Sequence, residues 1–291
     1  MRGARVLRLG RRTFGPGQYA VMAIVNRTPD SFFDHGATFA PDAALRAAAQ
    51  AVADGADIID IGGVKAGPGD EVGVAEEIRR TVPTITAVRA QFPDIVISID
   101  TWRAEVAAEA VAAGADLIND TWAGADPRLV EVAATTGAGL VCSHTGGLAP
   151  RARPYRPAYD DVVADVLATV SRLAERAVAA GVRADGILID PAHDFGKTTR
   201  HSLQVTRRLD EMVATGWPVL VALSNKDFVG ETLDLPVDDR LEGTLAATAV
   251  CAWHGARVFR AHQVRATRRV LDMVAAIQGH RQPAVSRRGL A

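Results

Sequence analysis

The sequence predicts an α/β protein, and the arrangement that fits it best is a (β/α)8 barrel, in which eight parallel strands are each followed by a helix. Short aliphatic runs without polar alternation recur eight times along the 291 residues, which is typical of parallel strands buried on both faces. Alanine-rich segments of helical periodicity separate these runs. A doubly wound open sheet is the alternative, but no glycine-rich dinucleotide fingerprint follows the first run.

Strands, helix ends and an N-terminal hairpin are each marked by a local pattern. The predicted strands span 19–25, 56–61, 94–99, 115–118, 139–142, 186–189, 218–223 and 256–259. The most regular helical patterns span 41–54, 71–91 and 160–180. Glycines that can end a helix in the left-handed conformation are Gly55, Gly114, Gly137, Gly181, Gly216 and Gly255. Residues 6–14 precede the first unit and are predicted to form a short hairpin that covers the bottom of the barrel.

Composition limits the kinds of function that the chain can have. Hydrophobic residues make up 48% and charged residues 23%, which is typical of a folded soluble protein. The 33 Lys and Arg residues nearly balance the 34 Asp and Glu residues, so the chain has no net positive charge that would attract a nucleic acid. No apolar stretch approaches the ~18 residues of a membrane-spanning helix, and two cysteines cannot form a disulfide framework. We therefore expect a cytoplasmic protein with neither a nucleic-acid nor a membrane partner.

The chain shows no composition break that would separate two domains. Residues 1–278 are predicted to form one barrel domain, because the strand and helix units account for nearly all of them. Residues 279–291 have no apolar periodicity and are predicted to form a mobile tail.

Each predicted strand ends at a polar residue. In a (β/α)8 enzyme the active site is built from the C-terminal ends of the strands, so these side chains would converge on one mouth. A single one of them often only caps the following turn. Together they suit a compact ligand with several N–H groups and a carbonyl on one edge, such as a pterin. The residues are Asn26, Asp60, Asp100, Asn119, His144, Asp190, Ser224 with Lys226, and Arg260 with His262.

Eight ordered motifs resemble those of the dihydropteroate synthase family. They are VMAIVNRTPDSF at 21–32, DIIDIGG at 57–63, SIDT at 98–101, IND at 118–120, DP at 190–191, FGKT at 195–198, RLEG at 240–243 and RAH at 260–262. The resemblance implies a (β/α)8 barrel that binds a dihydropterin deep in its mouth. It also implies the family's reaction, which joins 6-hydroxymethyl-dihydropterin pyrophosphate to p-aminobenzoate and releases pyrophosphate, and a homodimer formed through the last helices.

The resemblance assigns most of the strand-end residues to the pterin. Lys226 would donate to the ring, the Arg260 guanidinium would lie over its face, and both would be catalytic. Asp60 would be structural and support the neighbouring strand end. The pterin-binding residues that the resemblance implies are Asp100, Asn119, Asp190, Lys226, Arg260 and Phe195.

The resemblance also implies a site for the pyrophosphate and for Mg²⁺. Asn26, Arg260 and His262 would bind the pyrophosphate, and Asn26 would be the ligand that the protein gives to Mg²⁺. Cations at this place would stabilise the negative charge that grows as the C–O bond breaks.

The p-aminobenzoate side of the mouth departs from the family pattern. The loop at 64–69 reads VKAGPG where the family usually has ESTRPG, so Ala66 lacks the hydroxyl and Gly67 lacks the guanidinium. Asn225 replaces the arginine of the family's Ser-Arg-Lys. The triplet AHD at 192–194 replaces Gly-Ile-Gly and adds a carboxylate near the expected anions, and Ser-His at 143–144 replaces Met-His.

These changes predict a homologue that binds pterins but has little or no dihydropteroate synthase activity. Each lost charge-assisted contact costs about 1.5–3 kcal/mol, so the loss of two of them lowers the rate or affinity by a factor of roughly 10²–10⁴. Three alternatives stay open. They are a working synthase in which Lys65 replaces the missing arginine, a pterin transferase with a neutral or cationic acceptor, and a non-catalytic pterin-binding protein.

Overall fold

Eight parallel strands form a barrel in the computed structural model, which describes residues 5–28, 38, 40–152 and 157–289. The strands are β1 (Leu7–Leu9), β2 (Arg12–Phe14), β3 (Ala20–Asn26), β4 (Ile58–Gly62), β5 (Val96–Asp100), β6 (Leu117–Asp120), β7 (Gly139–Ser143), β8 (Ile187–Asp190), β9 (Leu220–Ala222) and β10 (Val258–Ala261). The barrel strands lie in the order β8-β7-β6-β5-β4-β3-β10-β9. A parallel bridge between Ile189 and Val219 joins the two ends of this order. The predicted (β/α)8 barrel is confirmed.

One or two α-helices follow each barrel strand. They are α1 (Pro41–Ala53), α2 (Val74–Gln91), α3 (Ala104–Ala112), α4 (Leu129–Thr136), α5 (Val162–Ala179), α6 (Thr199–Arg207), α7 (Leu209–Val213), α8 (Asp227–Leu233), α9 (Leu241–His254) and α10 (Val264–Ile277). All six glycines predicted to end helices have positive φ, for example 75° at Gly137 and 102° at Gly255. In the described part of the chain, no helix combines the length and the apolar composition needed to cross a membrane.

The hairpin of β1 and β2 closes the bottom of the barrel. The two strands pair antiparallel, and Leu7, Leu9 and Phe14 are buried. Leu9 lies so close to Gly139 that a Cβ added to this glycine would be 2.6 Å from the leucine Cδ2. The hairpin residues pack against one inward-facing layer of the barrel, formed by Ala20, Met22, Ile58, Val96, Leu117, Val141, Leu188, Leu220 and Val258. The predicted hairpin at the barrel bottom is therefore confirmed.

The parallel register aligns the polar strand ends at the opposite edge of the barrel. Asn26 pairs with Gly62, Gly62 with Asp100, and Asp100 with Asn119. Seven of the eight strands therefore end one or two residues beyond the predicted apolar runs, and Asn26, Asp100 and Asn119 belong to the ladder. The exception is β9, which ends at Ala222, one residue before the end of its predicted run. Most predicted strands also begin too early by about two residues; the prediction 56–61, for example, corresponds to β4 at Ile58–Gly62. Local hydrophobicity does not show where interstrand hydrogen bonds begin.

Candidate functional site

The carboxylate of Asp60 lies at the centre of the barrel mouth, which is the edge formed by the C-terminal ends of the strands. Its side chain is fully buried and accepts hydrogen bonds from three other barrel strands, β5, β6 and β10. Ser98 Oγ donates at 2.6 Å, Asn119 Nδ2 at 3.3 and 3.4 Å to the two oxygens, and Arg260 Nε at 2.6 Å. Since a buried carboxylate needs several donors, β4, β5, β6 and β10 are held together here.

Arg260 bridges two carboxylates. Its Nη2 donates to Asp100 Oδ2 at 2.8 Å while its Nε donates to Asp60, and Thr121 Oγ1 donates at 2.9 Å to the other Asp100 oxygen. Burial raises the pKa of Asp100 to about 6; Arg260 opposes this increase and Asp60 adds to it. Burial alone would lower the pKa of Arg260, but the two carboxylates outweigh it and the pKa is raised. We call Asp60, Asp100, Asn119 and Arg260 the Asp60 cluster.

Asp190 and Lys226 form a second polar group at the end of β8 and the start of α8. Asp190 is 5% exposed and accepts a hydrogen bond from the backbone N–H of Ala192 at 2.7 Å. Burial raises its pKa, and Lys226 acts in the opposite direction. The Lys226 ammonium donates to the backbone carbonyl of His193 and lies 4.9 Å from the ring centre of Phe195.

Three aromatic rings form a row beside Lys226. Phe195 meets Trp122 edge to face at 5.3 Å, and Trp122 meets Trp102 in the same way at 6.5 Å. They come from the loops after β8, β6 and β5. The row therefore gives this side of the mouth flat apolar surface from three separate loops.

A chain of three ionisable groups, of which Lys197 and His144 are buried and Asp165 is exposed, lies beside the loop after β8. Lys197 Nζ is 2.7 Å from His144 Nδ1, and His144 Nε2 is 2.7 Å from Asp165 Oδ1. Burial lowers the pKa of Lys197 to about 7, and burial together with Lys197 lowers that of His144 to about 4. The neutral imidazole therefore accepts from Lys197 and donates to Asp165. The fully buried His144 ring uses both nitrogens in these contacts, and sequence reasoning missed this chain because its members lie 21 and 53 residues apart.

Comparison with known proteins agrees with this geometry. Residues 22–262 match the family described as "Pterin binding enzyme". The chain belongs to this family of pterin-binding enzymes. It is 63% identical over 275 residues to the Mycobacterium leprae protein named "Inactive dihydropteroate synthase 2", covering 93% of this chain and 94% of that protein. It is also 39% identical over 254 residues to the Haemophilus influenzae "Dihydropteroate synthase", covering 87% and 92% of the two chains.

Solved structures of dihydropteroate synthases share the fold. The Yersinia pestis dihydropteroate synthase in complex with a sulfonamide drug has a TM-score of 0.89 and 36% identity, and the match covers 95% of this chain and all of that one. The Xanthomonas albilineans enzyme with 4-aminobenzoic acid has a TM-score of 0.85 and 36% identity, covering 97% and 100%. The resemblance inferred from the sequence motifs is therefore confirmed.

The residues that the family resemblance assigns to the pterin lie in the two polar groups of the mouth. Asp60 accepts hydrogen bonds from Asn119 and Arg260, and Arg260 in turn donates to Asp100. Sequence reasoning did not show that Asp60 and Arg260 connect these predicted residues. Asp190, Lys226 and Phe195 lie together in the second group.

Asn26 and His262 lie at the ends of the neighbouring strands β3 and β10. The Asn26 carbonyl accepts from Thr38 Oγ1 at 2.5 Å, and the His262 backbone N–H donates to Ser224 Oγ at 3.2 Å. Residues 29–32 of the first motif lie outside the described residues. Within the described part of the chain, no three His, Cys, Asp or Glu residues are grouped to hold a metal ion. A single amide oxygen of Asn26 would suit Mg²⁺ only together with the oxygens of a bound diphosphate.

The residues that depart from the family pattern have defined environments. Arg151, from the loop after β7, donates to the carbonyls of Gly67 at 3.1 Å and Asp70 at 2.7 Å. Asn225 is buried and has a left-handed φ of 54°, and its side-chain amide atoms have no hydrogen-bond partner among the residues that the structure describes. Asp194 accepts from Ser202 Oγ and from the backbone N–H of Phe228, so its carboxylate contacts α6 and α8.

Proposed function

We propose that this protein binds a pterin in the barrel mouth and has little or no dihydropteroate synthase activity. The observation that carries the proposal is the contrast between the two sides of the mouth. The pterin side keeps the Asp60 cluster together with Asp190 and Lys226. The other side lacks a hydroxyl at Ala66 and guanidinium groups at Gly67 and Asn225.

The pterin side offers complementary groups to a flat ring. Asp100 and Asp190 would accept ring N–H groups, and Asn119 would add a polar contact at the same edge. Lys226 would donate to the opposite edge, and Phe195 beside it gives an apolar surface for the ring. Hydrogen bonds to charged partners contribute about 1.5–3 kcal/mol each, which is sufficient for specific binding of a small heterocycle.

On the p-aminobenzoate side, Lys65 lies beside Gly67, but its ammonium cannot reproduce the planar two-point contact of the missing guanidinium. The Arg151 guanidinium approaches this glycine, but it donates to the Gly67 and Asp70 carbonyls and so holds the loop. Losing two charge-assisted contacts lowers the rate or affinity by roughly 10²–10⁴. The relatives support this proposal, since those 62–63% identical are named inactive dihydropteroate synthase 2.

A paired measurement tests the proposal. Titration calorimetry of the full chain with 6-hydroxymethylpterin should show binding, and turnover with 6-hydroxymethyl-dihydropterin pyrophosphate, p-aminobenzoate and Mg²⁺ should be at least about 100-fold below that of an ordinary synthase. Turnover at the ordinary rate would overturn the second half of the proposal, and absence of binding would overturn the first.

A working dihydropteroate synthase is the second candidate. Relatives that share 36–40% identity with the chain are named dihydropteroate synthase, and Lys65 retains one positive charge in the altered loop. In this case Lys65→Ala would abolish turnover. Unchanged turnover in this variant would exclude the compensating role of Lys65.

We also propose that two copies associate through α9 and α10. These helices pack against each other and expose Val250 and Trp253 on α9 and Met273 and Ile277 on α10. Trp253 is 59% exposed and Met273 60% exposed, which is unusual for large apolar side chains. The predicted extent of the domain, residues 1–278, includes both helices.

The proposed setting is the cytoplasm, and the proposed metal is a Mg²⁺ ion that enters with the diphosphate ligand. Cys142 and Cys251 are both free and buried, which suits a reducing compartment. Asn26 would be the protein's ligand to the Mg²⁺, with His262 and Arg260 near the diphosphate.

A further inference from the structure

The turn at 192–194, between β8 and α6, has an unusual backbone. Ala192 has φ 49° and Asp194 has φ 70°, a left-handed conformation that favours glycine. A side chain that stays in such a conformation is held there by its surroundings. Asp194 is anchored at three points, since its N–H donates to Ser202 Oγ at 3.1 Å, one carboxylate oxygen accepts from the same hydroxyl at 3.1 Å, and the other accepts from Phe228 N at 3.2 Å.

This turn contacts Lys226, the residue before the first residue of α8. The Lys226 ammonium donates to the carbonyl of His193 in the middle of the turn. The His193 ring is fully buried and stacks on Phe228 in the first turn of α8, with ring centres 5.5 Å apart. Asp194 therefore fixes both the turn whose carbonyl binds the Lys226 ammonium and the N-terminus of α8, which directly follows Lys226.

The charges around Lys226 come from four elements. Asp190 at the end of β8, Asp194 in the turn and Asp227 on α8 favour the charged ammonium, while Arg260 on β10 opposes it. Lys197 in the loop after β8 is a further nearby cation. Burial lowers the pKa of Lys226, and Asp194 contributes the largest opposing effect. Asp227 is 68% exposed and paired with Arg240 at 3.0 Å, so solvent weakens its influence.

We propose that Asp194 is a positioning residue for the pterin site, because its carboxylate keeps the Lys226 ammonium charged and in place against the His193 carbonyl. This inference rests on the proposed function, in which Lys226 donates to the pterin. The Asp194 carboxylate, which replaces a glycine of the family pattern, thus acts within the turn, since its oxygens contact Ser202 and the N-terminus of α8.

The test uses the lysine content of the chain, which is three residues: Lys65, Lys197 and Lys226. The full chain labelled with ¹³C-lysine is titrated by NMR without ligand, and the Lys226 resonance is assigned with Lys226→Arg. In Asp194→Asn, which keeps an oxygen that can accept from Phe228 but removes the charge, the Lys226 midpoint should fall by about one pH unit. Asp227→Asn is the matched control and should shift the midpoint by less than about a third of that.

Asp194→Gly is the second variant, because glycine suits the left-handed backbone and the turn should still form. It should lower the Lys226 midpoint as far as Asp194→Asn does. Unchanged midpoints in both variants would overturn the proposal, and a shift in Asp194→Gly alone would show that the helix contact acts without the charge and would also overturn it. Since this titration contains no pterin, its result is independent of whether the protein binds one.

The consequence for binding is then measured separately. The affinity for 6-hydroxymethylpterin should decline at alkaline pH, where Lys226 loses its proton. In Asp194→Asn this decline should occur at a pH about one unit lower than in the unmodified chain. The titration of the ligand itself is common to both proteins and does not affect the difference. An identical pH profile in a variant whose Lys226 midpoint has moved would overturn the role of Asp194 in the pterin site.

Discussion

Among single residues, Arg260 makes charge-assisted hydrogen bonds to two carboxylates in the barrel mouth. It lies on β10, while its partners Asp60 and Asp100 lie on β4 and β5, 200 and 160 residues away in sequence. A planar guanidinium can direct Nε and Nη2 to two different acceptors, whereas a lysine ammonium has no such fixed geometry. Asp60 is inaccessible to solvent, so it depends on these donors.

Arg260→Met should destabilise the protein by about 3–5 kcal/mol, because it leaves the Asp60 carboxylate buried without its cation. Urea denaturation at neutral pH measures the loss. The double variant Asp60→Asn/Arg260→Met should recover part of it, since the uncompensated charge is removed. A single variant as stable as the unmodified protein would contradict the structural role of this pair.

Lys197 should make the folded state depend on pH. Its pKa is lowered to about 7 by burial, below the ordinary 10.5, and its side chain is 6% exposed. Between these two pH values the unfolded chain binds more protons than the folded chain at this residue, so its contribution to the free energy of unfolding increases with pH.

Lys197→Met should remove this dependence. From pH 7 to about 10 the free energy of unfolding of the unmodified protein should increase relative to that of the variant, by up to about 1.4 kcal/mol per pH unit. Chemical denaturation at several pH values measures the difference. A difference that stays constant with pH would show that Lys197 keeps its ordinary pKa in the folded protein.

At the scale of elements, the N-terminal hairpin is part of the barrel interior. Leu9→Ala should cost about 3 kcal/mol, because Leu9 is fully buried against Gly139 and the bottom layer of the barrel and its truncation leaves a cavity. Val6→Ala, next to the same hairpin but 41% exposed, is the control and should change stability by less than about 0.5 kcal/mol. Equal losses of stability for the two substitutions in urea denaturation would argue against packing of the hairpin into the bottom of the barrel.

The loop at 64–69 should determine how much synthase activity is possible. A Cβ added at Gly67 would meet only Lys65 Cε, at 4.0 Å, so a larger residue fits there. Ala66→Thr/Gly67→Arg should raise turnover with p-aminobenzoate by roughly 10–100-fold, the equivalent of one restored charge-assisted contact. Gly73→Arg adds the same charge at the start of α2 and should have no effect. Equal turnover in the two variants would contradict the proposal that this loop limits the reaction.

At the scale of the whole molecule, the exposed apolar side chains of α9 and α10 favour association of two copies. Trp253→Glu should convert a dimer to a monomer in sedimentation velocity, because it places a charge in the middle of the apolar surface. Val178→Glu on α5, where the valine is 40% exposed, is the control and should leave the dimer intact. A dimer that persists in Trp253→Glu would exclude this surface.

Much of the architecture could be predicted from the sequence because its signals are local. Aliphatic runs such as β4 and β5 are recognisable without knowing their neighbours, and a glycine such as Gly255 marks the end of a helix by its own conformational freedom. The strand ends were displaced by one or two residues, since hydrogen bonds between strands extend the ladder to Asn26 and Asp100.

The site could be predicted less completely. The polar residues at the strand ends could be proposed as a group because parallel strands present their C-terminal ends at one edge. The chain Lys197–His144–Asp165 and the direction of the Asp194 carboxylate were not predicted, since each depends on which side chains approach one another after the barrel closes.

The sequence by itself therefore determined the fold class and the family, because apolar periodicity and short motifs are properties of contiguous residues. Only the tertiary structure decided the partners: Arg260 between Asp60 and Asp100, and Lys226 on the carbonyl of His193. The physical reason is that hydrogen bonds and burial couple residues far apart in sequence, such as Asp60 and Arg260, which are separated by 200 positions, and the pKa of each group follows from that environment.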